Sequence, residues 1–216
     1  AWYLPGASIA GAVTEFNVGP LCRLGGHLVA MGTITRDGGS GLDDLLAMVT
    51  SKGEVLIYSG TDPTDSAAWA LEGVYKIAEP IGRRCLIRIG ADLAVITSNG
   101  LVSLSSVIPI SSSAQGQQAA SSKIGLAFRA AYLAGGSAFG WQVIEYPKKG
   151  LSIVNVPVQE RGTQRQFVMN TMTGAWARWT GINAGCWSLF GDSMHFGGHD
   201  GKVYRITEGY ADNGST

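Results

Sequence analysis

A thirteen-residue stretch occurs three times in this chain. Leu46–Tyr58 reads LAMVTSKGEVLIY, Leu93–Ser105 reads LAVITSNGLVSLS, and Met194–Ile206 reads MHFGGHDGKVYRI. In each copy an apolar or small lead-in runs into a polar turn with glycine at the eighth position, Gly53, Gly100 or Gly201, and an alternating segment follows. That pattern is a β-hairpin: the alternation has the period of a strand, and a tight turn needs a positive φ that glycine adopts at little cost. Repetition at this scale constrains the fold more than composition does, because each copy is one supersecondary unit that stacks on its neighbours.

The repeat extends beyond the hairpin. Cys85–Ile89 (CLIRI) and Cys186–Phe190 (CWSLF) precede the second and third copies at the same distance, each followed by a glycine, Gly90 or Gly191. Before the first copy, HLVAMGTIT (27–35) reads as a strand, RDGGSGLDD (36–44) as a loop, and WALEGVYKI (69–77) as a strand after the polar turn 59–68. Between 141 and 180, WQVIEYP, LSIVNVPV, RQFVMNT and AWARWT read as four more strands, with Lys148-Lys149-Gly150 as one of the turns. The second strands of the four units begin near 46, 93, 151 and 194, at intervals of 47, 58 and 43 residues.

The long interval holds a Ser/Gln-rich loop over 111–118 and the chain's good helix candidate, SSKIGLAFRAAYLA at 121–134. Ile124, Phe128 and Ala131 recur at helical spacing with Leu126 and Leu133 nearby, Ser121 or Ser122 can cap the start, and Gly135-Gly136 stops it. Units of about 40–50 residues with four strands have the period of β-propeller blades. The expected architecture is therefore all-β: one propeller-like domain over 1–216, with blades at 26–78, 84–110, 141–181 and 185–208 and a helical insertion at 111–138. The last unit has room for three strands, and AVTEFNV (12–18) reads as a strand that could supply its missing edge and close the ring. The chain opens Ala1-Trp2-Tyr3 without an initiator Met, as a fragment of a larger protein or a processed product would.

Charge excludes some function classes. Sixteen basic and sixteen acidic side chains balance, so no global field draws the chain to nucleic acid or an anionic membrane. No apolar run reaches the ~18 residues of a bilayer span. Cys22, Cys85 and Cys186 fall in no zinc or CxxC spacing and read as buried free thiols of a reducing compartment, a single disulfide being the alternative.

Candidates for chemistry are sparse. Asp37, Asp43 and Asp44, and again Asp62 and Asp65, cluster in expected loops; calcium would use such carboxylates, but aspartate also simply makes turns. His195, His199 and Asp200 are close in sequence on a strand and turn, where the i, i+4 spacing of two histidines does not put them on one face, and His27 reads as an ordinary strand residue. Asp44, Glu54, Glu72, Glu145 and Asp192 are the carboxylates a glycosidase could use. No serine-elbow, zincin, P-loop or dinucleotide pattern is present, and the expectation is a protein without catalysis, cofactor or metal. Trp2, Trp69, Trp141, Trp176, Trp179 and Trp187 could form a sugar platform or pack between sheets. Arg83-Arg84 and Lys148-Lys149 fall in connectors and could touch phosphates or a neighbouring subunit, or simply be solvated.

Five stretches together, SGLDD (40–44), YSGTDP (58–63), EPIGRRC (79–85), GWQVIEYPKKGLSIVNVPV (140–158) and VMNTMTGAWARW (168–179), resemble the β-propeller-bearing tail nozzle or tail-tubular proteins of short-tailed bacteriophages. The resemblance covers roughly residues 40–208. It implies a structural virion protein, made in the host cytoplasm, that forms a ring of about six copies. It also implies a head–tail adaptor and tail fibre or spike proteins as neighbours, and transient contact with double-stranded DNA passing through the ring. The family supplies no catalytic residues to carry over. A propeller that binds or cleaves glycans on a host surface is the alternative function, and a scaffold propeller that binds peptides is a third.

Overall fold

The repeated stretches fold as the hairpins their sequence predicts. The computed structural model describes residues 1–5, 8–37, 42–89, 92–107, 119–159 and 161–206, with backbone alone at 36, 37, 42, 43, 106 and 107. The loop expected over 111–118 and Gly90 lie outside the described residues. The chain divides into two units, Ala1–Gly125 and Leu126–Thr216.

In the first unit, β1 (Trp2–Tyr3) pairs with β2 (Thr14–Glu15). Strands β3 (Leu28–Asp37), β4 (Leu42–Thr50), β5 (Glu54–Gly60) and β6 (Trp69–Lys76) form one antiparallel sheet in chain order. A three-stranded sheet follows from β7 (Leu86–Ile89), β8 (Asp92–Thr97) and β9 (Gly100–Ser103), and then a single helical turn α1 (Leu104–Val107). The second unit holds α2 (Gly125–Gly135) and two further sheets, each again in chain order. One is β10 (Gln142–Tyr146), β11 (Leu151–Pro157), β12 (Gln164–Asn170) and β13 (Trp176–Thr180). The other is β14 (Ala184–Phe190), β15 (Ser193–Gly198) and β16 (Val203–Arg205). The fold class is thus mostly β, in antiparallel meanders, with one helix longer than a single turn among the described residues.

The three hairpins share their glycine but not their register. In β4–β5 Val49 faces Val55, and in β15–β16 Gly197 faces Val203, positions four and ten of the repeat in both. In β8–β9 the last pair is Thr97 with Gly100, which leaves a two-residue loop, Ser98-Asn99. The glycines take φ of 78°, 120° and 80° respectively. Gly53 and Gly100 are crowded and Gly201 is not: a Cβ on Gly53 would collide with Ile77 O, and one on Gly100 with Ser121 Oγ, which accepts the Leu101 N–H at 2.9 Å. Together with Ala120 N donating to Leu101 O at 2.9 Å, this lays the 119–121 segment along the free edge of β9.

The first sheet is covered on both faces. On one, Met48, Leu56 and Tyr58 pack with Phe16, Val18, Leu21 and Cys22 of the N-terminal segment. Phe16 meets Tyr58 and Trp69 edge-on at 5.3 and 6.0 Å, and Tyr58 stacks on Trp69 at 5.1 Å. Buried Glu54 pins that segment by accepting Arg23 N–H at 2.9 Å and Leu24 N–H at 3.0 Å. On the other face, a Cβ at Gly32 would sit 3.0 Å from Leu93 and 3.2 Å from Leu86, so the absent side chain lets the β7–β9 sheet close in. In the second unit, Tyr146, Ile153 and Val168 of the four-stranded sheet pack on Ala184, Trp187 and Met194 of its three-stranded neighbour.

Several expectations are corrected. In the 36–44 segment expected as a loop, 36, 37 and 42–44 are strand, with Arg36 paired with Asp43 and Thr35 with Asp44, while 38–41 lie outside the described residues. The 12–18 stretch is strand only at Thr14–Glu15, where its partner is Trp2–Tyr3. The helix starts with a 3₁₀ turn, Ser122–Ile124, without a side-chain cap, since Ser121 Oγ is already held by β9. Phe128 and Ala131 are buried as expected, while Leu126 and Leu133 face out. Cys186 is exposed rather than buried. The ladder slips between Ala184 and Cys186, and the extra residue, Gly185, puts Ala184 and Trp187 both inward and Cys186 outward. Cys22 is half-buried, Cys85 is buried, and both are free thiols.

Candidate functional site

Buried amide side chains of the second unit meet at Asn155. Its position on β11, opposite Gln142 and Gln166, sets three amides on one face of the sheet. Asn155, Gln164 and Gln166 are each at most 1% exposed. Asn155 Nδ2 donates to Gly140 O at 2.8 Å, Ala184 O at 3.1 Å and, more weakly, Gln164 Oε1 at 3.4 Å. Its Oδ1 accepts from Gln166 Nε2 at 2.8 Å and from Trp187 Nε1 at 3.0 Å. Gln142 completes the seam, its Nε2 donating to Trp187 O at 2.8 Å and its Oε1 accepting Trp187 N–H at 2.9 Å. Buried amides in such a network are strong only when nearly every group is matched; here Gln166 Oε1 is left without a partner.

The network ends at the surface. Gln164 Nε2 lies 3.3 Å from Gln159 O and 3.4 Å from His199 Nε2. His199 lines an open cleft of about 660 Å³ together with Phe139, Arg161, Cys186 and the glycines 185, 197 and 198. The bulge at Gly185 makes this cleft: a Cβ there would stand 3.2 Å from the His199 ring, and one on Gly197 2.9 Å from Cys186 Sγ. Arg161 holds φ of 54° in the turn between β11 and β12, an uncommon conformation for a side chain-bearing residue. A second cleft, of about 490 Å³ in the first unit, lies between the tips of the first two hairpins, where Lys52 pairs with Glu79 at 3.2 Å.

The residues singled out from the sequence have other placements. Arg83 is exposed and Arg84 half-buried in the turn before β7; Lys148 and Lys149 are exposed on a 3₁₀ turn, Pro147–Lys149, closed by left-handed Gly150. Asp62 takes its own turn, accepting Thr64 N–H at 2.9 Å and Thr64 Oγ1–H at 2.7 Å, which holds its carboxyl below the usual range. Asp65 accepts Ala67 N–H at 2.8 Å in the same turn. His195 Nδ1 is 3.0 Å from Ser193 O, and His27 flanks β3 with its backbone on Ser51. Asp200 accepts from Tyr204 Oη at 2.5 Å, the main cause of its lowered pKa. Among the described residues no group of three or more His, Cys, Asp or Glu is placed to hold a metal ion. Trp141 and Trp187 are core residues, Trp69 is stacked on Tyr58, Trp176 and Trp179 are half-buried and Trp2 is exposed.

Sequence reasoning passed over Asn155, Gln164, Gln166 and Arg161. Polar residues at core-parity positions of two adjacent strands were the available signal for the amides; nothing in the sequence marks Arg161. Among the described residues no helix is long and apolar enough to cross a membrane. No family model matches the chain, and no curated protein matches it.

Proposed function

We propose that this chain is a structural, non-catalytic virion protein, a nozzle or tail-tube component of a short-tailed bacteriophage. In this reading its sheets are β-propeller blades, and about six copies form a ring through which the genome is retained and delivered. The observation that carries it is the succession of four antiparallel meanders in chain order, three of them containing the recurring hairpin. Sheets of four strands repeated along the chain are how propellers are built.

Two features support a subunit that works by assembling. Leu126, Met172, Phe190 and Val203 are large apolar side chains left exposed, as surfaces covered by neighbours would leave them. The buried amides join the two sheets of one unit to each other, a rigidifying use of polar groups that needs no substrate. The head–tail adaptor and the fibre or spike proteins are the partners this role requires.

Native mass by light scattering, with electron microscopy of the particles, tests the reading. Discrete rings with an open centre are expected, alone or on addition of the adaptor. A monomer that stays monomeric with its phage's adaptor present would overturn it.

A further inference from the structure

We infer that the cleft at the Gly185 bulge is a binding site for a carboxylate carried on an apolar or aromatic group. The inference goes beyond the ring assembly proposed above and does not depend on it.

The argument runs through hydrogen-bond polarity. Trp187 Nε1 can only donate, so the Asn155 atom 3.0 Å away is the oxygen, and the amide nitrogen faces Gly140 O and Ala184 O. Gln159 O, 3.3 Å away, accepts and so requires the Gln164 nitrogen on its side, which leaves Gln164 Oε1 facing Asn155 Nδ2 at 3.4 Å. The Gln164 amide therefore cannot flip. Its remaining N–H points at His199 Nε2, 3.4 Å away, which must accept. The ring proton of His199 then sits on Nδ1, on the side of Gly185 and the cleft.

The cleft is thus lined by His199, with its N–H donor on Nδ1, and by Arg161, whose side chain carries a guanidinium, with Phe139, 61% exposed, as an apolar wall. One positive charge and one neutral donor match a monoanion, and a guanidinium fork matches the two oxygens of a carboxylate. The glycine floor leaves room for the ligand's body. Asp200 is adjacent in sequence, but its carboxylate is engaged by Tyr204 Oη and lies 3.8 Å from Lys202 Nζ.

The test is an NMR titration of the whole chain. Long-range imidazole spectra at about pH 8, where a free histidine is neutral, should show His199 protonated on Nδ1. Benzoate should shift the amides of Gly185, Gly197 and Gly198 saturably. Arg161→Gly, which suits the positive φ and so keeps the turn, should weaken binding at least about tenfold, the size of one charge-assisted hydrogen bond. N-acetyl-alanyl-phenylalanine binding more tightly than benzoate would identify a peptide C-terminus as the source, and the reverse order a small free acid; either supports the shared chemistry. An Nε2-protonated His199, equal shifts with neutral benzamide, no saturation with benzoate, or unchanged affinity in Arg161→Gly would each overturn the proposal.

Discussion

Trp187 on β14 donates through Nε1 to the buried Oδ1 of Asn155 on β11 at 3.0 Å, so the largest side chain of one sheet is fastened to an amide inside the next. The same Trp187 uses its backbone N–H and C=O on Gln142. One residue therefore makes three hydrogen bonds across the joint as well as packing against Tyr146 and Ile153.

Asn155→Ala leaves Trp187 Nε1 without an acceptor and takes the donor from Gly140 O and Ala184 O. Stranding two or three buried polar groups costs about 3–5 kcal/mol in unfolding free energy. Asn155→Asp, the same shape, should be no better, since it turns a carboxylate oxygen toward both carbonyls. Urea unfolding followed by Trp fluorescence measures this. A loss under about 0.5 kcal/mol, the scale of an ordinary surface substitution, would mean the network carries little.

The repeated glycines should differ in what they tolerate. Gly201→Ala meets no atom within 4 Å, so its cost is the positive φ alone, about 1–2 kcal/mol. Gly100→Ala carries that cost and also drives a methyl into Ser121 Oγ, which breaks the Leu101 bond that holds the 119–121 segment to β9. It should cost about 1–3 kcal/mol more, and hydrogen exchange should speed up at Leu101 and Ala120 but not at Val203. Equal destabilisation by the two substitutions would show that the Ser121 contact is dispensable.

That contrast marks how far the sequence could be read. The hairpins, their glycines and all fourteen strands of the four sheets were legible, because period-two alternation broken by glycine turns is a local signal. The register difference between the second hairpin and the others was not, and neither was the bond from Leu101 N–H to Ser121 Oγ, twenty residues downstream. Cys186 looked buried because a bulge, which shifts the inward phase by one residue, leaves no periodic trace when the bulged residue is a glycine among small residues. The amide network was hidden for a related reason: polar residues in strands read as solvent-facing unless their partners are known, and Asn155 finds its partners at 140, 166, 184 and 187. That Arg161 and His199 line one cleft is purely tertiary.

The three thiols should label in a fixed order. Cys186 is exposed and should react first with iodoacetamide. Burial raises the Cys22 thiol, and the nearby Glu54 charge adds to the effect. Burial pushes Cys85 up to about 11, so at pH 8 about one molecule in a thousand carries its thiolate. Mass spectrometry of peptides at timed quenches should give Cys186, then Cys22, with Cys85 labelled only as the chain unfolds. Glu54→Gln should speed Cys22 labelling by removing the charge and loosening the segment that Glu54 pins. Early labelling of Cys85 in the folded protein would contradict its burial at 0% exposure.

Glu145 makes stability depend on pH in a direction opposite to most carboxylates. It sits on β10 opposite Ser152, and desolvation raises its pKa above the ordinary glutamate value. A carboxyl with a raised folded pKa binds its proton more tightly in the folded than in the unfolded state. Its contribution is fully present below the unfolded pKa, near 4.5, and is lost as pH rises through the folded value. Glu145→Gln removes that titration. The variant's urea midpoint should match the wild type in acid and exceed it increasingly from about pH 4.5 toward neutrality. A difference that stays constant across that window would mean that Glu145 is solvated in the folded state, and that its half-buried position costs the charged form nothing.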